Sequence, residues 1–165
     1  MFLHKISGLA EHFIYLNDDS FVLHNVSKSA FFELDGLPIN NYHFKQLKKD
    51  KNSLGVLYPI YKKSFQLAMR AAGATFYRNR KTALVPCHHP KPMLKSVCKK
   101  LWCRIPDQIR ESLTPFRSEK SVSNYMFCNY MLLTGQTHDR EIRSALTLNA
   151  ENFFGQDFIS INDVN

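Results

Sequence analysis

The chain has 165 residues, of which 44% are apolar, 13% aromatic and 22% charged, and its formal net charge is +8. That size fits one domain with at most a small appendage, and the apolar share excludes a chain disordered throughout. Six glycines and seven prolines exclude collagen-like or low-complexity architecture.

Phe2, Leu3, Ile6, Leu9 and Ala10 recur at helical spacing, which predicts an N-terminal helix. His12–Leu16 and Phe21–Val26 are β-favouring runs separated by Asn17-Asp18-Asp19-Ser20. They read as a hairpin with a four-residue turn, and a helix continuing through Leu16 is the competing reading. Ser27 can cap a short helix with Ala30, Phe31, Phe32 and Leu34, ended by Gly36. Pro38 and Asn40 open a second helix with Tyr42, Phe44 and Leu47 as its apolar positions. Pro59 suits the first position of a third helix, in which Ile60, Ser64, Leu67, Ala68, Ala71 and Ala72 share a face and Gly73 is the stop. Ala74–Tyr77 and Thr82–Val85 flank Arg78-Asn79-Arg80-Lys81, a second hairpin candidate with a basic tip.

Pro86 to Pro92 is a proline-rich break. Beyond it, Met93–Arg104 has the clearest amphipathic pattern, with Leu94, Val97, Cys98, Leu101 and Ile105 on one face. Pro106 starts a short helix with Ile109 and Leu113. Ser118 can cap another that Gly135 stops, and Thr137 can cap a last one bearing Ile142, Ala145 and Leu146. Phe158, Ile159 and Ile161 suit a short strand. The fold class expected is α+β, mostly helical. Residues 1–26 form a helix and hairpin, 27–85 a basic winged-helix-like unit, and 86–165 a helical part that can dimerise, with 106–150 as the less basic surface.

Charge is unevenly spread. Residues 1–36 carry −3, residues 37–104 carry +14 with Asp50 as their single acid, and residues 105–165 carry −3. A solvated face usually mixes signs, so this block points to an external polyanion. Helix, helix, helix and basic hairpin is the order of a winged helix-turn-helix. On that reading Lys62, Gln66 and Arg70 recur every four residues on the third helix, with Lys63 beside them. Gln and Arg suit base edges, and Lys suits phosphate. Arg78, Arg80 and Lys81 form the wing, and Lys45, Lys48, Lys49 and Lys51 add charge from the second helix.

The function expected is therefore a DNA-binding transcriptional regulator of a bacterium, phage or mobile element, with duplex DNA as partner and a homodimer suiting a palindromic site. The alternatives are an adaptor that binds RNA or an acidic protein, and a metal-dependent nuclease. Aromatic residues interleaved with the cations, such as Tyr42, Phe65 and Tyr77, keep stacking on single strands open.

No nucleophile elbow, P-loop, dinucleotide fingerprint or zinc-protease motif occurs, so no catalytic residue is assigned. His138, Asp139 and Glu141 read as a favourable helix start. Cys87, His88, Cys98 and Cys103 lack a C-x-x-C knuckle, which leaves structural zinc a minor alternative to no cofactor. Lys45-Gln46-Leu47-Lys48-Lys49 with Gly55-Val56-Leu57, and Met126-Phe127-Cys128-Asn129, resemble short stretches of the C-subunit family of flagellar master activators. Their separation differs, and that family's paired zinc cysteines have no counterpart after Cys128, so no family is assigned. No signal-peptide pattern and no apolar run near the roughly 20 residues of a spanning helix is present, so the expectation is a cytoplasmic protein with reduced thiols and no membrane partner.

Overall fold

A computed structural model describes residues 2–17, 20–22, 25–46, 57–74, 82–86, 90–116, 118, 120–140 and 158–160. Among these, four α-helices and seven short strands make a mixed α+β structure.

β1 (His12–Tyr15) runs antiparallel to β5 (Lys91–Leu94), and β2 (Ser20–Val22) runs antiparallel to β7 (Phe158–Ser160). The expected hairpin is thus corrected: β1 and β2 pair with segments far along the chain, not with each other. The pattern of β1 explains its choice. His12, Ile14 and Leu16 are exposed, while Phe13 and Tyr15 turn inward against the core beside Met93 and Leu94. Pairing with β5, whose four residues are all buried, places that inward face on the core. The expected N-terminal helix is reduced to a 3-10 turn over Leu3–Lys5.

The third sheet runs β4 (Thr82–Pro86), β3 (Ile39–Gln46), β6 (His138–Arg140), with β3 antiparallel to β4 and parallel to β6. Ile39–Gln46 is therefore a strand where a second helix was expected. Its Asn, Tyr, His and Phe residues are weak helix formers, and successive partners take up its backbone, β6 along residues 39–41 and β4 along residues 42–46. The helix expected from Ser27 is a 3-10 turn over Lys28–Ala30. The helix expected from Thr137 is replaced at its start by β6. The winged-helix arrangement over 27–85 turns on residues 47–56 and 75–81, which lie outside the described residues.

α1 (Leu57–Ala72) follows the predicted periodicity but starts two residues before Pro59, the expected first position. Ile60, Ser64, Phe65, Leu67, Ala68, Met69 and Ala71 are buried, and Lys62, Gln66 and Arg70 are exposed. α2 (Lys95–Arg104) starts later than its sequence pattern because Met93 and Leu94 belong to β5. It has no side-chain cap of its own. Glu11 supplies one from outside: its backbone oxygen accepts the Lys95 N–H at 2.8 Å, and its carboxylate accepts the Ser96 N–H at 3.1 Å. A carboxylate there also meets the positive end of the helix dipole. α3 (Pro106–Glu111) is the short helix expected at Pro106.

α4 (Tyr125–Leu133) starts well after Ser118, and every residue from Tyr125 to Met131 is buried. A helix apolar all round belongs inside, and α1 and α2 both pack on it. Gly135, at φ +66°, ends it with two bonds: Gln136 N–H to the Met131 oxygen at 2.8 Å and Gly135 N–H to the Leu132 oxygen at 3.2 Å. That is the Schellman arrangement, which needs a left-handed residue. Tyr42, Phe65, Ala68, Met93, Val97, Leu101, Met126 and Tyr130 share one core, so segments on both sides of Pro86 close it together.

Candidate functional site

The turn before β3 and the start of β6 meet in a corner rich in titratable groups. Gly36 adopts φ +80°, and the carbonyl it presents lies 3.0 Å from His12 Nε2. A Cβ on Gly36 would come within 3.2 Å of that nitrogen, so the close approach of the imidazole also requires glycine. Asp35, one residue earlier, accepts the Leu37 N–H at 2.9 Å through Oδ1 and faces His138 Nε2 at 2.8 Å through Oδ2. The Leu37 N–H first, and His138 second, hold the Asp35 carboxyl below its ordinary range.

Behind this exposed pair lies a buried polar hub. Asn40 Nδ2 donates to the Pro92 oxygen at 3.2 Å and to Thr137 Oγ1 at 3.1 Å, while Thr137 Oγ1 donates to the Pro38 oxygen at 2.8 Å. The His138 N–H also donates to the Pro38 oxygen, at 2.8 Å. Three strands, β3, β5 and β6, are thereby tied at the base of the His138–Asp35 pair. An imidazole oriented by a carboxylate on a fixed backbone can take up and return a proton.

A second feature is the junction of β1 with β5. Tyr15 stands opposite Lys91, whose ammonium is buried and lies 5.3 Å from the centroid of the Tyr125 ring. Tyr125 in turn stacks on Tyr61 at 5.1 Å. A lysine this buried keeps its charge only with compensating partners, and the ring face is one of them. Asp18 and Asp19 fall between β1 and β2, and His88 and His89 fall just before β5. All four lie outside the described residues. By sequence alone Asp18 and Asp19 read only as turn residues and His138 only as part of a helix start. The Asp35–His138 pair leaves no local signal, because the partners are distant in sequence.

The residues expected to contact a polyanion separate as follows. Lys62, Gln66 and Arg70 are exposed on one side of α1. Lys63 is partly buried, and its Nζ donates to the Lys120 oxygen at 2.6 Å, so it ties α1 to the loop before α4. Lys45 lies in β3 opposite Ala83. Lys48, Lys49, Lys51, Arg78, Arg80 and Lys81 lie outside the described residues.

The three described cysteines differ in burial. Cys98 and Cys128 are buried in the core and Cys103 is exposed, while Cys87 and His88 lie outside the described residues. Burial pushes the Cys98 and Cys128 thiols up to about 12, and for Cys98 the neighbouring Cys128 adds to the effect. Among the described residues, no group of three or more His, Cys, Asp or Glu side chains could hold a metal ion.

No protein-family model matches the chain. It is 36% identical over 115 residues to the capsular polysaccharide phosphotransferase fcs1 of Haemophilus influenzae, covering 68% of this chain and 30% of that protein. It is 29% identical over 158 residues to the exopolysaccharide phosphotransferase CpsY of Mycobacterium tuberculosis, covering 93% of this chain and 29% of that protein. The capsular polysaccharide phosphotransferase WcwK of Streptococcus pneumoniae is 29% identical over 146 residues, covering 86% of this chain and 42% of that protein. The chain thus spans about three to four tenths of the length of these relatives.

These similarities overturn the expectation of a DNA-binding transcriptional regulator and of nucleic acid as its partner. The physical reason is that a block of lysines and arginines suits any phosphate-bearing ligand. Charge counting does not distinguish the phosphodiesters of DNA from sugar phosphates.

Proposed function

We propose that this protein takes part in transferring a sugar-phosphate group from an activated donor to a hydroxyl of a glycan. The observation that carries this reading is the similarity to an exopolysaccharide phosphotransferase along 93% of the chain. In such a transfer the acceptor oxygen forms a bond to the donor phosphorus next to the sugar. The bond from that phosphorus to the leaving phosphate breaks, and the hydroxyl proton passes to a base.

His138 is the base we infer. Its Nε2 faces Asp35, which leaves Nδ1 to receive the proton, and the Asn40–Thr137 hub holds its backbone. Asp18 and Asp19, the only adjacent carboxylates in the sequence, are the second candidates for proton transfer or for holding the donor. A cytoplasmic location, where nucleotide-activated sugars are made, belongs to the same proposal. Among the described residues, no helix is long and apolar enough to cross a membrane.

The test is product analysis with a nucleoside-diphosphate sugar and a short glycan acceptor. Sugar-phosphate transfer releases nucleoside monophosphate and gives a phosphodiester signal in ³¹P NMR. Release of nucleoside diphosphate with a plain glycosidic product, or no reaction, refutes the reading. His138→Ala is expected to lower the rate by about 10²–10⁴-fold, the usual contribution of a general base.

A further inference from the structure

Proton transfer at His138 uses none of the cations on the outer face of α1. That face carries Lys62, Gln66 and Arg70, all exposed, and none of the sixteen residues of α1 is acidic. Successive members of the row stand about 6 Å apart along the helix axis, and its two charged ends about 12 Å apart, at 1.5 Å per residue.

Neighbouring segments extend the row. Lys63 Nζ is tied to the backbone oxygen of exposed Lys120, and Arg104 Nη1 donates to the Ala71 oxygen at 3.3 Å, which adds a guanidinium at the C-terminal end of α1. Repulsion among these like charges lowers stability, and opposite charge from a ligand relieves it.

We propose that this face of α1 binds the phosphate-bearing glycan, with Lys62 and Arg70 on successive phosphates and Gln66 hydrogen-bonded to the sugar between them. The inference rests on the sugar-phosphate transfer proposed for this protein. Each transferred group leaves a phosphodiester on the product, so the polymer gains negative charge at every link, whereas a neutral glycan does not. Charge complementarity therefore selects a polymer that already carries phosphate. Arg70 can hold a phosphate through two parallel N–H bonds, and Lys62 meets one as a point charge. Because the row is exposed, the attraction weakens as salt rises.

The test is affinity electrophoresis of the purified protein in three gels. One contains a phosphodiester-linked capsular polysaccharide, one the same polysaccharide after hydrofluoric acid has removed its phosphate, and one dextran. Retardation is expected only in the first, and it should fade with added salt. Lys62→Ala combined with Arg70→Ala should weaken binding at least about tenfold, which corresponds to about 1.4 kcal/mol, without lowering the melting temperature. Lys62→Arg with Arg70→Lys should restore most of it.

The proposal is overturned by the absence of retardation for the parent protein, by equal retardation in the phosphate-free gel, or by a double variant that binds as the parent does. Tighter binding to duplex DNA at equal phosphate concentration also overturns it. Failure of the transfer reaction itself is distinguishable, because it appears as a protein that binds the polymer yet releases no nucleoside monophosphate.

Discussion

Replacing Asn40 by Ala removes a hub that joins β3, β5 and β6. Asn40 is 3% exposed and Thr137 9% exposed, so their hydrogen bonds are shielded from water. Asn40→Ala loses the bonds to the Pro92 oxygen and to Thr137 Oγ1. At about 1 kcal/mol for each neutral bond, with a further increment for the space left by the amide, the cost is about 2–3 kcal/mol. For a chain of this length, each kcal/mol moves the melting temperature by about 2–4 °C, so a fall of about 4–12 °C is expected. Thr137→Val keeps the shape but loses the hydroxyl, and is expected to cost about 1–2 kcal/mol. The two residues share one bond, so the double variant should be less destabilised than the sum of the singles by about 0.5–1 kcal/mol. Urea denaturation of the four proteins measures the cycle. Additivity within about 0.3 kcal/mol would refute the shared bond and, with it, the account of how the backbone of His138 is held.

Other consequences are equally direct. At pH 8, iodoacetamide followed by peptide mapping should label exposed Cys103 quickly and leave Cys98 and Cys128 unlabelled, because thiols pushed up to about 12 are thiolate in only about one molecule in ten thousand. Asp35 has a lowered carboxyl pKa, so its contribution to stability is present above its ordinary value of 3.8 and is lost as pH falls through the lower folded value. Thermal melts should therefore show Asp35→Asn less stable than the parent at pH 7, with the gap narrowing as pH falls below 3.8. Gly135→Ala meets nothing within 4 Å and should cost only the left-handed backbone strain of about 1–2 kcal/mol, whereas Gly36→Ala adds contact with the His12 ring and should cost more in the same denaturation assay.

The sequence alone determined the features that depend on near neighbours. The spacing of Ile60, Ser64, Leu67 and Ala71 specifies α1 and its outward row of Lys62, Gln66 and Arg70, because a helix closes its hydrogen bonds within four residues. Gly135 is legible as the stop of α4 for the same local reason, and the apolar Phe158-Ile159 pair marks β7.

Tertiary structure decided what depends on distant partners. Ile39–Gln46 has spacing compatible with either element, and it becomes a strand because β6 pairs with its first three residues and β4 with the remaining five. β1 bypasses its sequence neighbour for β5, a buried strand beside which Phe13 and Tyr15 pack on the core. Asp35 meets His138, and Asn40 meets Thr137, only once β3 and β6 lie parallel, so neither pair leaves a mark on local sequence. The basic block is plain in composition, but net charge is blind to what carries the opposing phosphates. That choice rests with the shape and hydrogen bonding of the folded surface.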